Sequence, residues 1–167
     1  VRTDASGAIL WSKSYGSSNA VSSEGAQGMK VTSDGGCIIV GMVSNFSPYP
    51  TYLIKTDANG DTLWTKQYNL SYANCSIEQT TDGGYIMAST QTGGGASYGV
   101  ATLVKINANG TLAWAKGYGN GTVFGESESG ICAKQTADGG YILLGGTSNY
   151  SANAPSTTDF YMVRTDG

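Results

Sequence analysis

The chain contains no histidine, so neither a Ser-His-Asp nor a Cys-His relay can be built from it. Carboxylates are what remain for acid–base work. Of the twelve acidic residues, Asp34, Asp82 and Asp138 fall in one recurring phrase and Asp4, Asp57 and Asp166 in another. Both phrases are turns, where Asp serves to bond backbone N–H groups. Outside them lie Glu24, Asp61, Glu78, Glu126, Glu128 and Asp159. Glu126 and Glu128 are a candidate acid/base pair for glycoside chemistry, but their plainer reading is a solvated pair on a loop, and the chain is expected to be no enzyme. Asp57-Ala58-Asn59-Gly60-Asp61 has the opening of a Ca²⁺ loop without its later bidentate Glu. Its copies Asp4-Ala5-Ser6-Gly7-Ala8 and Asn107-Ala108-Asn109-Gly110-Thr111 lose ligands, so turn chemistry explains all three. No metal or cofactor is expected.

Cys37, Cys75 and Cys132 contain no CxxC pair, which removes the usual zinc site. They read as small apolar residues of a β core, with Cys37–Cys75 or Cys75–Cys132 as the candidate bridges. Asn-x-Ser/Thr occurs at Asn45, Asn69, Asn74, Asn109, Asn120 and Asn149. These are candidate glycosylation sites, because loop asparagines in this pattern accept N-glycans; chance in a Ser/Thr-rich chain is the plain alternative. Asn74 falls in an expected strand, and Pro48 follows the Asn45 site. Tyr49, Tyr72, Tyr98 and Tyr150, with Tyr52, lie in or beside expected loops as candidate stacking platforms for sugar rings, whereas Tyr15, Tyr68, Tyr118, Tyr85 and Tyr141 recur in register and read as packing residues.

These residues are positioned by a repeat. Gln135-Thr136-Ala137-Asp138-Gly139-Gly140-Tyr141-Ile142 returns as Gln79-Thr80-Thr81-Asp82-Gly83-Gly84-Tyr85-Ile86 and, more loosely, as Val31-Thr32-Ser33-Asp34-Gly35-Gly36-Cys37-Ile38. Asp-Gly between β-branched and aromatic runs specifies a tight hairpin. A second phrase, Asp57-Ala58-Asn59-Gly60 leading to Trp64, Lys66 and Tyr68, returns at Asn107 to Tyr118 and opens the chain from Val1 to Tyr15; its start closes the chain at Val163–Gly167. Phrase starts at Val1, Ile54, Val104 and Val163 give periods of about 53, 50 and 59 residues, the range of repeat architectures. Expected strands cover about 8–15, 26–33, 36–43, 51–56 and 61–68, then 73–80, 84–91, 99–106 and 111–118, then 129–136, 140–147 and 158–165. No window of a dozen residues escapes a Gly or turn signal, so no helix is expected.

Charged residues make up 13% of the chain, about half the usual share, so solubility must come from hydroxyls, amides or attached sugar. A net charge of −3 offers no footprint for nucleic acid, and no stretch is long and apolar enough to insert in a membrane. All nine basic residues recur at repeat positions, which reads as the solvent-facing member of an alternating strand.

The phrases Gln-Thr-x-Asp-Gly-Gly-Tyr-Ile and Asp-x-Asn-Gly-x-x-x-Trp-x-Lys-x-Tyr resemble the Kelch-like β-propeller blade repeats of large secreted or surface-anchored proteins of bacteria and archaea. Nearly the whole chain is covered; Val31 and Cys37 depart from the pattern in the first unit. The resemblance implies an all-β fold of three four-stranded antiparallel propeller-type blades, with a β-trefoil as the structural rival. Residues 1–15 are expected as the final strand of a blade, 26–68 as blade one, 73–118 as blade two and 129–167 as blade three without its last strand. Three blades do not close a ring. That leaves a fragment of a longer ring, two chains forming a six-bladed ring, or an open chain whose C-terminal edge accepts the N-terminal strand of the next copy, the mode that the matching ends favour. The expected function is a non-enzymatic structural or adhesive component of the cell surface or extracellular space, whose partners are copies of itself joined head to tail by strand complementation. A carbohydrate-binding propeller module, taking glycans as partners, is the alternative.

Overall fold

A computed structural model describes residues 1–16, 23–44, 50–92, 99–119, 127–148 and 158–166, the side chains of 23, 44, 69–75 and 92 apart. Every regular element in them is a β-strand, and every pairing is antiparallel between neighbours in sequence. β1 (Arg2–Thr3) and β2 (Ile9–Trp11) form a short ribbon. β3 (Ser23–Val31), β4 (Cys37–Ser44), β5 (Pro50–Thr56) and the first half of β6 (Thr62–Gln79) form the first sheet. The second half of β6 pairs with β7 (Tyr85–Thr92), which continues to β8 (Gly99–Ile106) and β9 (Leu112–Tyr118) in the second sheet. β10 (Glu128–Gln135), β11 (Tyr141–Thr147) and β12 (Asp159–Arg164) make the third. The fold is thus a repeat of antiparallel sheets packed on one another.

The recurring phrase forms its hairpins for a local reason. In the first, Thr32 N donates to Gly36 O and Gly35 N to Thr32 O, each at 2.9 Å, while Asp34 Oδ1 accepts from Gly36 N at 3.0 Å. Gly35, Gly83 and Gly139 carry φ of 81°, 77° and 90°, values costly for any residue with a Cβ. Thr80–Gly84 and Thr136–Gly140 repeat the backbone bonds at nearly the same distances.

Several expectations are corrected. Residues 61–80 were expected as two strands with a break, but β6 runs through both sheets, pairing Thr62–Ser71 with β5 and Tyr72–Gln79 with β7. Nothing between Asn69 and Asn74 is Gly or Pro, so the chain has no local reason to leave the extended conformation. The N-terminal strand expected over 8–15 narrows to Ile9–Trp11. Its partner β1 is two residues long, and ladder bonds cannot extend past the partner's end.

The basic residues were expected to face solvent, yet Lys55 and Lys105 are each 5% exposed. Their stems lie against the sheet, and the ammonium groups pair with the turn carboxylates, Lys55 Nζ with Asp34 Oδ2 at 2.8 Å and Lys105 Nζ with Asp82 Oδ2 at 2.9 Å. Each lysine also donates to a main-chain carbonyl, Thr56 O and Ile106 O respectively, so hydrogen bonds compensate the desolvated charge. Cys37 and Cys132 are half-buried free thiols, so neither expected bridge to Cys75 forms.

Candidate functional site

Side chains alternate across a strand, and here the alternation decides which neighbour each residue meets. β7 sends Tyr85 and Met87 back toward the first sheet, where they join Ile38, Val40 and Leu53 in one buried cluster. From the same strand, Ile86 and Ala88 point forward into a second cluster with Ala133 and Leu143 of the third sheet. Consecutive sheets are therefore cemented face to face by apolar burial, the dominant favourable contribution to packing of this kind.

Polar latches at the rims fix the registry. Tyr68 Oη donates to Gly110 O at 2.5 Å, and the Trp64 ring lies so close that a Cβ at Gly110 would stand 3.0 Å from it. One sheet earlier, Tyr15 Oη donates to Gly60 O at 2.8 Å, and a Cβ at Gly60 would stand 2.7 Å from Trp11. At the same rim Gln79 Oε1 accepts from Ser33 N, and Gln135 Oε1 from Thr81 N, both at 2.8 Å. Trp64 meets Tyr85 edge-on with centroids 6.2 Å apart, and Trp114 meets Tyr141 at 5.7 Å. Lys30 reaches Glu78 at 2.7 Å. The same device joins sheet to sheet each time.

Electrostatics follow this packing. The Lys55 ammonium, then the Thr32 hydroxyl, hold Asp34 well below the usual carboxylate range. The Thr80 hydroxyl, then Lys105, bring Asp82 down to about 2, and Thr136 with Arg164 do the same for Asp138. Burial pushes the Tyr68 phenol up to about 12. Every one of these shifts favours the charge state that the latch or turn already uses.

At its two ends the stack presents the same surfaces without their counterparts. On the third sheet Leu144 and Met162 are 40% and 67% exposed, although the equivalent Val40, Ala88, Leu53 and Leu103 are all at 0%. Phe160 beside them is 94% exposed. On the first sheet Met29 is 62% exposed where its equivalent Ile77 is 4%. Met29, Val31, Cys37 and Ile39 line a cleft of about 500 Å³ closed on its far side by Trp11, Tyr15 and β1. In the second sheet Gln79, Tyr85 and Met87 take the places of Val31, Cys37 and Ile39.

The residues singled out in sequence are scattered. Asn109 is exposed at the tip of the β8–β9 turn, its Oδ1 accepting from Thr111 N at 3.0 Å and Thr111 Oγ1 at 2.8 Å. Asn69, Tyr72 and Asn74 lie within β6, so Asn69 sits inside a strand and not past its end, and Tyr72 is not beside a loop. Asn45, Asn120, Asn149, Tyr49, Tyr98, Tyr150 and Glu126 lie outside the described residues. Glu128 is not a solvated loop carboxylate: it stands in β10 at 1% exposure, packed against Gly119. Asp57 Oδ1 accepts from Asn59 N and Asp61 N, and Asp61 pairs with Lys13 at 2.6 Å, so both carboxylates of this turn are engaged within the protein. Among the described residues no three His, Cys, Asp or Glu side chains converge, and no helix is long and apolar enough to cross a membrane.

Sequence reading missed the latches. Their signal was the recurrence of Gln79 and Gln135 before the turn and its replacement by Val31 in the first unit.

No protein-family model matches the sequence, and no curated protein does either. Among solved structures the chain is similar in fold to a protein of unknown function from Bacteroides caccae, with a TM-score of 0.55 at 12% identity over 94% of this chain. The match spans 52% of that protein, so the chain covers about half of the length of the structure it resembles.

Proposed function

We propose that the chain is a non-enzymatic structural component of an extracellular or cell-surface assembly, built of propeller-type blades and joined head to tail by strand complementation. In this reading β3 to the first half of β6 are one blade and the second half of β6 to β9 the next. The ribbon belongs to a blade before them, and β10–β12 are the first three strands of a blade after them. One observation carries the proposal: Leu144 and Met162 stand in the open at positions whose equivalents are sealed between sheets. Large apolar side chains grouped in the open mark an interaction site. A contact whose two sides differ, repeated by one rotation, extends without self-limiting pairing.

Low charge and the exposed Asn109 side chain at the head of Asn109-Gly110-Thr111 support the extracellular assignment, since sugar at such a turn adds solubility that charge does not. Electron microscopy of the purified protein tests the proposal. Regular fibres are the expected result; discrete particles that bind glycans would replace it with the lectin reading. Intact mass above the calculated 17.2 kDa is expected for material from a glycosylating host.

A further inference from the structure

Asparagine is chemically labile, most of all before glycine, where no Cβ obstructs the approach of the side-chain carboxamide to the next backbone nitrogen. Among the described residues the pair occurs at Asn59-Gly60 and Asn109-Gly110. The two turns share a backbone. Asp57 N donates to Asp61 O and Asn107 N to Thr111 O, both at 2.9 Å. Gly60 and Gly110 have φ of 78° and 80°, and both asparagines are exposed.

The carboxamides differ. Asn109 Oδ1 accepts from Thr111 N at 3.0 Å and from Thr111 Oγ1 at 2.8 Å, and Asn107 Nδ2 donates to the same hydroxyl at 2.8 Å. In the first turn Asp57 Oδ1 takes the N–H of Asp61 at 2.8 Å, and the Asp61 carboxylate turns to Lys13. The Asn59 carboxamide therefore bonds to nothing among the described residues, although its backbone N–H donates to Asp57 Oδ1. The glycine nitrogen is also held less closely there, Gly60 N donating to Asp57 O at 3.1 Å against 2.9 Å from Gly110 N to Asn107 O.

We propose that Asn59 is a site of spontaneous modification, deamidating through a succinimide, while Asn109 is protected in the same kind of turn. The Gly60 nitrogen loses its proton and bonds to Asn59 Cγ, and Nδ2 leaves with a proton as ammonia. Water then opens the imide ring. Addition at Cγ breaks the new C–N bond and gives aspartate. Addition at the Asn59 backbone carbonyl carbon breaks the original peptide C–N bond and gives isoaspartate, whose main chain runs through Cγ. Nothing is oxidised or reduced, and water is the only co-reactant. Closing the ring at Asn109 takes the carboxamide off both Thr111 bonds; at Asn59 only the bond on the glycine nitrogen, common to both turns, is lost.

Isoaspartate lengthens the main chain just before Gly60. That glycine accepts from Tyr15 Oη at 2.8 Å and lies so close to Trp11 that even a Cβ would stand 2.7 Å from the ring. Conversion therefore loosens this latch, whereas the aspartate product keeps the normal backbone and leaves it in place. The chemistry needs no second copy of the chain and stands apart from the assembly proposed above.

The test incubates folded protein from a non-glycosylating host at mildly alkaline pH. Proteolysis and mass spectrometry follow both asparagines, and an isoaspartyl methyltransferase labels the isoaspartate. Asn59 is expected to convert several-fold faster than Asn109, and Thr111→Ala, which removes the hydroxyl's bond, to narrow the gap. In urea, where neither turn exists, the two rates are expected to converge. Equal rates in the folded protein, faster conversion at Asn109, or a gap that persists unchanged in urea would overturn the proposal. The purified isoaspartate form is expected to unfold at lower urea than the parent, and Asn59→Asp to unfold with the parent. Coincident midpoints for the isoaspartate form and the parent would overturn the loosened latch.

Discussion

The second sheet is covered on both faces and the third on one, although the two are built from nearly the same phrases. Tyr85, Ile86, Met87 and Ala88 are all at 0–1% exposure, each alternate pair claimed by a different neighbour. In the third sheet, Leu143 is at 0% and Leu144, one residue on, at 40%. Burial in this protein is therefore a property of having a next sheet, and is not encoded in the strand by itself. The same contrast holds for charge. Lys105 is buried and its ammonium is met by the exposed Asp82 of the turn, whereas Arg164, itself exposed, makes the equivalent contact with Asp138 at 2.6 Å.

Substitutions at matched positions sharpen that comparison. Tyr85→Ala removes a ring held edge-on by Trp64 and is expected to cost about 3–5 kcal/mol by urea denaturation. Phe160→Ala, made at concentrations too low for association, is expected to stay within about 0.5 kcal/mol of the parent. Equal losses at the two positions would break the distinction between sealed and open faces. Next in size is Asp82→Ala, which leaves the Lys105 ammonium buried beside a single carbonyl and is expected to lower stability by about 2–3 kcal/mol. Asp138→Ala loses the same turn bonds but is expected to lower the urea midpoint less than Asp82→Ala, since Arg164 is free to turn to water. Gly110→Ala must both adopt φ near 80° and displace the Trp64 ring. It should cost about 1 kcal/mol or more beyond Gly7→Ala, where a Cβ meets nothing within 4 Å.

Much of the repeat was legible because its turns are dictated locally. Asp-Gly-Gly fixes both a positive φ and an acceptor for the turn, so the strands on either side fall within a few residues of where periodicity puts them. What escaped depends on residues far apart. Lys55 and Lys105 look like the outward members of an alternating strand; only the Asp34 and Asp82 turns, more than twenty residues away, make their burial tolerable. Glu128 reads as a loop carboxylate until β10 is paired with β11. The continuity of β6 was hidden for the opposite reason, because unit-by-unit reading inserts a boundary where the chain supplies no Gly or Pro to make one. The candidate site was least legible of all. A face is identified as open by comparing positions such as Met162 and Leu103, which requires knowing which sheet lies against which.

The smallest effect concerns pH. Asp82 is depressed to about 2 in the folded protein, so its contribution is complete above the ordinary carboxylate value near 3.8 and is lost as pH falls from there toward 2. Urea midpoints are expected to hold from pH 7 to 5 and to drop between pH 4 and 2. In Asp82→Ala that drop should be shallower, and an unchanged slope would remove Asp82 from the account.

Sedimentation velocity of the parent protein and of Met162→Asp, over a hundredfold range of concentration, tests the open-face claim most directly. The account predicts species growing beyond a dimer with concentration in the parent and a monomer throughout in Met162→Asp, with both proteins equally stable in urea. A parent protein that remains monomeric across the range, or a Met162→Asp variant that associates just as well, would contradict it.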